Sequence, residues 1–210
     1  MGGGPDFVSL FATPIFAADL VGAEPLNREL SERLLADEQR SPGERVSNVG
    51  GWHSADNLAS RPEECFRTVL DAIVAGARAL TARIGEAAGV APLPEFGCEL
   101  HAWGLILRSG DYAVLHDHGD AHWSAVYWVD AGDDDPEHPE SGRLVLVDPR
   151  RRGRPLPERD LFSPVAPVKP CAGALIVFPG WLQHYVHAYR GQRPRISISC
   201  NVVMTLAPSR

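Results

Sequence analysis

The spacing of apolar positions divides the chain into a first part with helices and a second part rich in strands. Residues 24–40, EPLNRELSERLLADEQR, carry four leucines on one face among charged side chains, and this pattern predicts an amphipathic helix. Pro42 and Gly43 follow it and are typical of a helix end. Before it, residues 7–20 are apolar and β-prone, and Pro14 favours an edge strand or a bend there.

A second, longer helix is predicted over residues 63–89, where apolar residues again line one face. Gly89 and Pro92 provide its end. From residue 95 onward, apolar or alternating runs are separated by Gly, Pro and Asp clusters, as in a β-sandwich or barrel. These runs cover residues 99–112, 121–130, 142–150, 173–187 and 193–204. We therefore predict a mainly β protein, with N-terminal helices packed on one face of the β core.

Three segments between these runs are predicted to be loops. Residues 47–54, SNVGGWHS, form a loop or turn that carries an unusual Trp-His pair. Residues 130–141 are an acidic hairpin loop, and residues 149–160 are a basic, Pro-rich one. With no repeat and no interdomain linker, residues 1–210 are predicted to form a single domain. It has a helical portion over about 1–94 and a β-barrel core over about 95–205.

Composition and charge restrict the function classes. The 210 residues are 44% hydrophobic and 22% charged, as in ordinary globular proteins. A formal net charge of -7 and a pI near 5.6 argue against a general affinity for nucleic acid. The four cysteines are scattered, so we expect reduced thiols. No signal peptide or apolar run of about 20 residues is found, so a cytoplasmic protein without a membrane partner is expected.

The stretch LHDHGDAHWS, residues 115–124, contains the main candidate metal ligands. Side chains at i and i+2 of a strand point to the same face, so His116 and His118 can bind one ion together, with Asp117 on the opposite face. His184, near the end of a distant apolar run, is the candidate third ligand. Imidazole suits Fe, Zn, Cu and Ni, so the ligand type alone does not identify the metal.

Two alternatives remain within the same stretch. His118 and Asp120 form a His-x-Asp pair, which would supply the carboxylate of a two-histidine, one-carboxylate triad and leave His116 outside the ligand set. His122 precedes a strand and is predicted to be a pocket-lining or surface residue.

A cationic site is predicted eleven residues after His184. Arg195 and Ser197 lie on the same face of a predicted strand. A guanidinium that faces into a barrel needs an anionic partner, and a carboxylate bound through two hydrogen bonds matches its geometry best. Arg193, on the same face, is a competing candidate.

The ordered motifs NVGGWHS, HDH followed by SAVYWV, GRLVLVDPR, GALIVFPGWLQHYV and RISISCN resemble a known family. They are similar to the 2-oxoglutarate- and Fe(II)-dependent oxygenases of the phage and bacterial type. Those proteins resemble prolyl hydroxylases in their double-stranded β-helix (jelly-roll, cupin-like) core. The resemblance extends from about Asn48 to Asn201.

The resemblance implies Fe(II) and 2-oxoglutarate as cofactors and assigns roles to individual residues. His116, His118 and His184 correspond to the iron ligands, with His118 at the position where prolyl hydroxylases have aspartate. Arg195, assisted by Ser197, matches the arginine that binds the far carboxylate of 2-oxoglutarate. In SAVYWV, Trp128 stands where a tyrosine hydroxyl is usual, and an indole can donate a hydrogen bond but cannot accept one.

The implied activity couples decarboxylation of 2-oxoglutarate to oxidation of a C–H bond in an unidentified small molecule or protein side chain. Six aromatic residues are expected to line the cavity: Trp52, His53, Trp103, Tyr112, Trp123 and Trp181. Tyr112 is also predicted to contact the cosubstrate. One alternative is a cupin-like three-histidine enzyme that does not use 2-oxoglutarate, either a dioxygenase or a zinc hydrolase. Another is a noncatalytic β-barrel that binds a ligand. The sequence allows a homodimer.

Overall fold

The computed structural model describes residues 11–150 and 163–206. These residues form two α-helices, a short 3-10 helix and eleven strands. The helices are α1 (Glu24–Arg40) and α2 (Glu64–Ala87), with the 3-10 helix at Leu58–Ser60. The first six strands are β1 (Phe16–Asp19), β2 (Asn48–Val49), β3 (Trp52–His53), β4 (Phe96–Leu107), β5 (Tyr112–His116) and β6 (Trp123–Asp130). The others are β7 (Leu144–Val147), β8 (Val165–Val168), β9 (Ala174–Pro179), β10 (His184–Val186) and β11 (Arg195–Leu206).

The strands form two antiparallel sheets. The larger sheet has the order β1-β9-β6-β11-β4-β3, and the smaller has the order β2-β5-β10-β7-β8. Strands alternate between the sheets along the chain, since β6 and β9 are in the larger sheet while β7, β8 and β10 are in the smaller. The predicted mainly β fold, a double-stranded β-helix, is confirmed.

Both helices pack on one face of the larger sheet, as predicted. Strand alternation turns Ile196, Ile198 and Cys200 of β11 toward them, where they join a buried apolar cluster with Leu34 of α1 and Ile73 of α2. A second apolar cluster lies between the two sheets and includes side chains from the opposite face of β6 and β9. The larger sheet therefore has one face covered by helices and one that faces the smaller sheet.

The helix predictions agree with the structure to within two residues at each end. Both predictions placed the apolar face correctly, because the buried residues of α1 and α2 recur at helical spacing. Gly89 follows α2 with a φ of 69°, a conformation that glycine adopts without steric cost. The β1 strand lies at the edge of its sheet, as predicted for residues 7–20.

Several strand and loop predictions were wrong. The first 94 residues are not only helical, because they also contribute β1, β2 and β3. The segment 47–54 forms β2 and β3 instead of a simple loop. The run 173–187 is two strands in different sheets, separated by a turn. The acidic segment 130–141 connects two sheets and so does not form a hairpin.

Two further strands, β5 and β8, lie outside the predicted apolar runs except for Tyr112. Most of the segment 149–160 lies outside the described residues, although the strands on either side of it, β7 and β8, pair antiparallel. All four cysteines are free thiols, in agreement with the prediction. Among the helices of the described residues, none combines the length and the hydropathy that a bilayer-spanning segment requires. The single-domain arrangement stays a prediction.

Candidate metal centre

Three histidines converge at one end of the space between the sheets. His116 is the last residue of β5 and His184 the first of β10, and the two lie directly opposite each other in the antiparallel pair. One potential ligand atom from each of His116, His118 and His184 lies within 4.8 Å of the other two. The ring centroids of His116 and His184 are 4.3 Å apart. The structure thus brings together the three histidines that the sequence singled out.

A β-bulge directs His116 toward the interior. The pairing of β5 with β10 matches His184 to His116 and Val186 to Ala113, so two residues of β5, Val114 and Leu115, lie opposite the single residue Tyr185 of β10. In a regular strand Ala113 and His116 would face opposite sides of the sheet. With the bulge, both line the cavity between the sheets.

His118 reaches the same centre from a loop, and not from a strand as the alternation argument assumed. The β5 strand ends at His116, and His118 is in the turn that follows. Its backbone N–H donates to Gly180 O at 2.8 Å. A Cβ on Gly180 would lie 2.7 Å from His118 O and 2.2 Å from Ala121 O, so this close approach requires glycine. The His118 ring lies 5.0 Å from that of His116 and 5.2 Å from that of His184.

Backbone carbonyls fix the tautomers of two histidines. Nδ1 of His116 lies 2.7 Å from Val114 O, and Nδ1 of His184 lies 2.8 Å from Leu182 O. Because a carbonyl oxygen can only accept, Nδ1 carries the proton in both rings and Nε2 keeps its lone pair. Metal-binding histidines are commonly oriented by such a second hydrogen bond.

All three imidazoles are held in the neutral form. Burial lowers the pKa of His116, lowers that of His118 to about 4 and lowers that of His184 to about 3. The proximity of the rings to one another lowers the pKa of His118 and His184 further, and the nearby Asp117 carboxylate opposes these effects. Neutral imidazole is the form that binds a metal ion.

The acidic neighbours occupy different positions. Asp120 is not part of the three-residue cluster and lines a pocket outside it. Asp117 is exposed, lines the same pocket and accepts a hydrogen bond from the Gly119 N–H at 3.2 Å. His122 is also exposed, and its Nδ1 accepts from the Met204 N–H at 3.1 Å.

A buried arginine faces the cavity from the larger sheet. The side chain of Arg195 at the start of β11 lines this cavity, and the residue is only 1% exposed. Its Nε and Nη1 atoms have no hydrogen-bond partner among the described residues. Burial lowers its pKa to about 10, so the group is still charged at neutral pH. A buried and unpaired guanidinium is costly, which indicates an anion that the polypeptide does not supply.

Gly142 covers one side of this guanidinium. A Cβ there would lie 3.1 Å from Arg195 Cδ and 3.4 Å from its Nε, and the φ of Gly142 is 64°. The close backbone contact and the positive φ both favour glycine at this position. Arg195 is therefore confined by its surroundings without being hydrogen-bonded through Nε or Nη1.

Arg193, the competing candidate, lies in a different environment. It is exposed, and its Nε donates to Asp133 Oδ1 at 2.8 Å. Its Nη2 donates to Gly132 O at 2.8 Å, and Nη1 lies 3.4 Å from Asp130 Oδ2. The structure thus gives Arg193 its partners on the protein surface and directs only Arg195 into the cavity.

The other predicted cosubstrate residues differ in their positions. Ser197 is buried and lines the inner cavity, and Trp128, directly opposite it on β6, is fully buried with its Nε1 lacking a partner. Tyr112 is 37% exposed and is not among the residues that line this cavity. The expectation that Tyr112 faces the cosubstrate was therefore wrong, because the bulge in β5 turns Ala113 and His116 inward instead.

The histidine centre separates two connected spaces. The inner cavity is narrow, about 40 Å³, and runs between the sheets from the histidines to Arg195. The outer pocket has a volume of about 640 Å³. Four residues line both: Ser47, His53, Trp103 and His118. The outer pocket therefore opens onto the metal-binding side chains.

Two of the six aromatic residues expected in the cavity are there. His53 and Trp103 stack with ring centroids 5.4 Å apart and line both spaces. Trp52 and Trp123 belong to the core beneath the helices, and Trp181 is half exposed. Sequence reasoning missed the polar lining residues Ser124 and Ser199, although their alternation with apolar residues was a usable signal.

The donor set fits the two cofactors that the resemblance implied. Three neutral imidazoles on one side of a shared point suit Fe(II) and leave other coordination positions open. A fully buried guanidinium with unpaired N–H groups suits a carboxylate. Both features face one cavity, so a single dicarboxylate such as 2-oxoglutarate could contact both.

Comparison with known proteins supports the same class. Residues 101–201 match the family model described as "Putative 2OG-Fe(II) oxygenase". A prolyl-4-hydroxylase from Pseudomonas putida shares the fold with a TM-score of 0.60 at 16% identity, over 90% of this chain and 92% of that chain. HygX from Streptomyces hygroscopicus, solved with nickel and 2-oxoglutarate bound, gives 0.57 at 14% identity, over 90% and 82%.

A third solved structure has a comparable fold. The α-ketoglutarate-dependent carbocyclase SnoK from nogalamycin biosynthesis gives a TM-score of 0.60 at 15% identity, over 92% of this chain and 80% of that chain. No curated protein sequence matches the chain significantly. The matched segment contains His116, His118, His184 and Arg195. The expected resemblance is confirmed: this segment, a little under half of the chain, matches the model of the 2-oxoglutarate- and Fe(II)-dependent oxygenases, and the solved structures share its fold.

Proposed function

We propose that His116, His118 and His184 hold the Fe(II) of this oxygenase and that Arg195 binds the far carboxylate of its 2-oxoglutarate. The observation that carries the proposal is Arg195 itself, a fully buried guanidinium whose Nε and Nη1 have no partner in the described chain. It lines the same narrow cavity as the three histidines. A dicarboxylate that spans this cavity would pair the arginine and present its other end to the metal.

When bound, iron and 2-oxoglutarate would supply the chemistry that uses dioxygen as the oxidant, with one oxygen atom going to succinate, as carbon dioxide is released, and the other to the substrate C–H bond. The polypeptide binds the two cofactors, orients them and shields them from water. Arg195 fixes the direction of the cosubstrate. Trp128 is not among the residues that line the inner cavity, but its Nε1 is buried without an acceptor in the described part of the chain and is the proposed further donor. Ser197, opposite Trp128 on the neighbouring strand, adds a hydroxyl to the cavity wall.

The two connected spaces have separate roles in this proposal. The inner cavity is too narrow for a large substrate, so it takes the cosubstrate and excludes water around it. The outer pocket takes the substrate, which contacts His53 and Trp103 and reaches the metal beside His118. A substrate held there would have its reacting C–H close to the centre, as positioning catalysis requires.

A zinc hydrolase with three histidine ligands is the alternative from the same residues. In that enzyme Arg195 would be structural and would have an acceptor in the protein. The unpaired Nε and Nη1 of Arg195 therefore favour the oxygenase. A two-histidine, one-carboxylate triad is disfavoured for a similar reason, because Asp120 lies outside the cluster of ligand atoms.

An anaerobic titration tests the assignment. Fe(II) and then 2-oxoglutarate are added to the protein, and the visible charge-transfer band of the chelated complex is recorded. We expect the band in the wild type and in Asp120→Ala, and its loss in His118→Ala. A band that survives in His118→Ala and disappears in Asp120→Ala would contradict the three-histidine set. Absence of the band from folded, iron-loaded wild type would overturn the proposal as a whole.

A further inference from the structure

The outer pocket combines a large volume with an unusual charge. Four carboxylates line it, those of Glu44, Asp56, Asp117 and Asp120, and among the described residues no lysine or arginine does. Two histidines, His53 and His118, form its inner wall, and a third, His101, lies at its side. The pocket is therefore an acidic vestibule to the metal centre.

Other surface hollows of the same protein do not share this imbalance. One hollow of about 330 Å³ carries Glu29, Glu32, Asp37 and Glu63, but three arginines line it as well, and Arg61 lies 2.8 Å from Asp37. Another, of about 230 Å³, holds three aspartates together with Arg143 and Lys169, and Lys169 pairs with Asp134 at 2.7 Å. At these two hollows, nearby basic residues therefore offset most of the acidic charge. In the outer pocket, no lysine or arginine among the described residues does so.

Most of the carboxylates in the outer pocket are available to a ligand. Asp56 contacts His101 Nδ1 at 2.8 Å, and Asp117 accepts from a backbone N–H. For Glu44 and Asp120, the described residues supply no side-chain hydrogen bond or ion pair within the contact limits. Carboxylates around a concave wall reinforce one another's field and attract a cation to the cavity.

Two further groups in this pocket suit a protonated amine. Asn201 Oδ1 is buried at the pocket wall and has no hydrogen-bond partner in the part of the chain that the structure describes, so it can accept from an N–H group of a ligand. Trp103, stacked on His53, presents an aromatic ring at the boundary with the metal centre. Indole faces attract ammonium and guanidinium groups within about 6 Å of the ring.

We infer that the substrate of this oxygenase is cationic, carrying a protonated amine or a guanidinium that the acidic vestibule holds while a neighbouring C–H faces the metal. This inference rests on the proposed function, because it treats the outer pocket as the substrate site. The amine carries three N–H donors, enough for Asn201 and two carboxylates. An anionic substrate would instead meet like charge on the path to the centre.

The test uses three probes that share one backbone and differ in side-chain charge: the Nα-acetyl methylamides of lysine, norleucine and glutamate. The anaerobic Fe(II) and 2-oxoglutarate complex is formed first and verified by its visible band. Calorimetry at low salt then measures the affinity of each probe. We expect the lysine probe to bind at least about fivefold more tightly than the norleucine probe, and the glutamate probe to bind most weakly.

Two matched variants locate the effect. Glu44→Gln removes one unpaired charge from the vestibule and is expected to weaken the lysine probe about threefold while leaving the norleucine probe unchanged. Glu137→Gln removes an exposed charge from the loop between β6 and β7, outside the outer pocket, and is expected to change neither. Raising the salt to about 0.5 M should reduce the preference for lysine, because it screens the carboxylates.

The outcomes distinguish the inference from the proposed function. If the band forms but the probes bind without preference for positive charge, or do not bind, the inference is overturned and the proposed function stands. Equal losses in Glu44→Gln and Glu137→Gln would also overturn it, since the effect would then reflect net charge alone. If the band does not form, the proposed function fails, and the assignment of the vestibule as a substrate site fails with it.

Discussion

The same two strands, β6 and β11, build two very different faces of the larger sheet. On the face toward the helices, polar groups of β6 have partners: Trp123 Nε1 donates to Thr81 Oγ1 at 3.0 Å, and the Tyr127 hydroxyl donates to Asn27 Oδ1 at 2.6 Å. The rest of that face is apolar and fully packed. This face is a hydrophobic core in which these two polar groups of β6 have hydrogen-bond partners.

On the face toward the smaller sheet, several polar groups of these strands are buried but not satisfied within the described residues. Within residues 11–150 and 163–206, Trp128 Nε1 and two nitrogens of Arg195 have no partner, and neither has Asn201 Oδ1. All three residues alternate in sequence with side chains that pack on the helical side, so neighbouring positions of a strand differ sharply.

The unsatisfied polar groups of β6 and β11 thus lie on one face of the larger sheet only, although the same strands form both faces. Burying a polar group without a partner costs roughly 1–3 kcal/mol, and a charge costs more. Such costs are tolerated where a ligand completes the hydrogen bonds. We therefore propose that iron, 2-oxoglutarate and, at Asn201, the substrate complete the inner face.

The largest expected effect separates binding from stability at Arg195. Arg195→Met should weaken 2-oxoglutarate binding by about 2–5 kcal/mol, or 30-fold and more, because a buried charge pair loses one partner. The free energy of unfolding of the cofactor-free variant should be unchanged or higher, since an unpaired buried charge is removed. Calorimetry and urea unfolding measure the two quantities.

Arg193→Met is the matched control. It removes an exposed ion pair with Asp133 and should leave 2-oxoglutarate affinity unchanged. If Arg195→Met instead destabilises the cofactor-free protein by several kcal/mol and spares binding, Arg195 is a structural residue.

A second, smaller effect concerns ligand-linked stability. At about 100 times its dissociation constant, a ligand of the folded state adds about 2.7 kcal/mol to the free energy of unfolding, or roughly 5–10 °C in Tm for a chain of this size. Fe(II) with 2-oxoglutarate should produce this shift in the wild type and in Tyr127→Phe on the helical face. His184→Ala should abolish it. A shift that persists in His184→Ala in an anaerobic thermal scan would contradict the metal assignment.

The smallest effect compares two tryptophans on one strand. Trp123→Phe removes a satisfied hydrogen bond and should lower the free energy of unfolding by about 1 kcal/mol without changing 2-oxoglutarate affinity. Trp128→Phe removes an unpaired N–H and should weaken 2-oxoglutarate binding about five- to tenfold, while its loss of stability should come only from the smaller ring and not from a lost hydrogen bond. Reversed effects in the two variants would mean that the faces have been assigned the wrong way round.

The sequence predicted the features that depend on local periodicity. The ranges of α1 and α2 follow from apolar residues at helical spacing, and the long strands β4, β6 and β11 from alternation. β8 was missed because Pro167 interrupts a run of only four residues. β5 was missed because its bulge breaks the period of two.

The site was predictable where residue type carried the signal. His116, His118 and His184 could be chosen from the motif, although the strand argument for His118 was wrong and a loop positions it. The sequence could not show whether Arg193 or Arg195 enters the cavity. Arg193 is held at the surface by Asp133, some 60 residues earlier in the chain, and such a distant contact cannot be read from local sequence. The acidic vestibule was equally hidden, since its carboxylates come from three separate segments.

The most direct test is a crystal structure grown without oxygen in the presence of Fe(II) and 2-oxoglutarate, with anomalous data collected at the iron edge. We predict one iron peak bound by His116, His118 and His184, and a carboxylate of 2-oxoglutarate hydrogen-bonded to Arg195 within the inner cavity. An iron peak bound by Asp120, or a 2-oxoglutarate molecule that leaves the Arg195 guanidinium unpaired, would contradict the account.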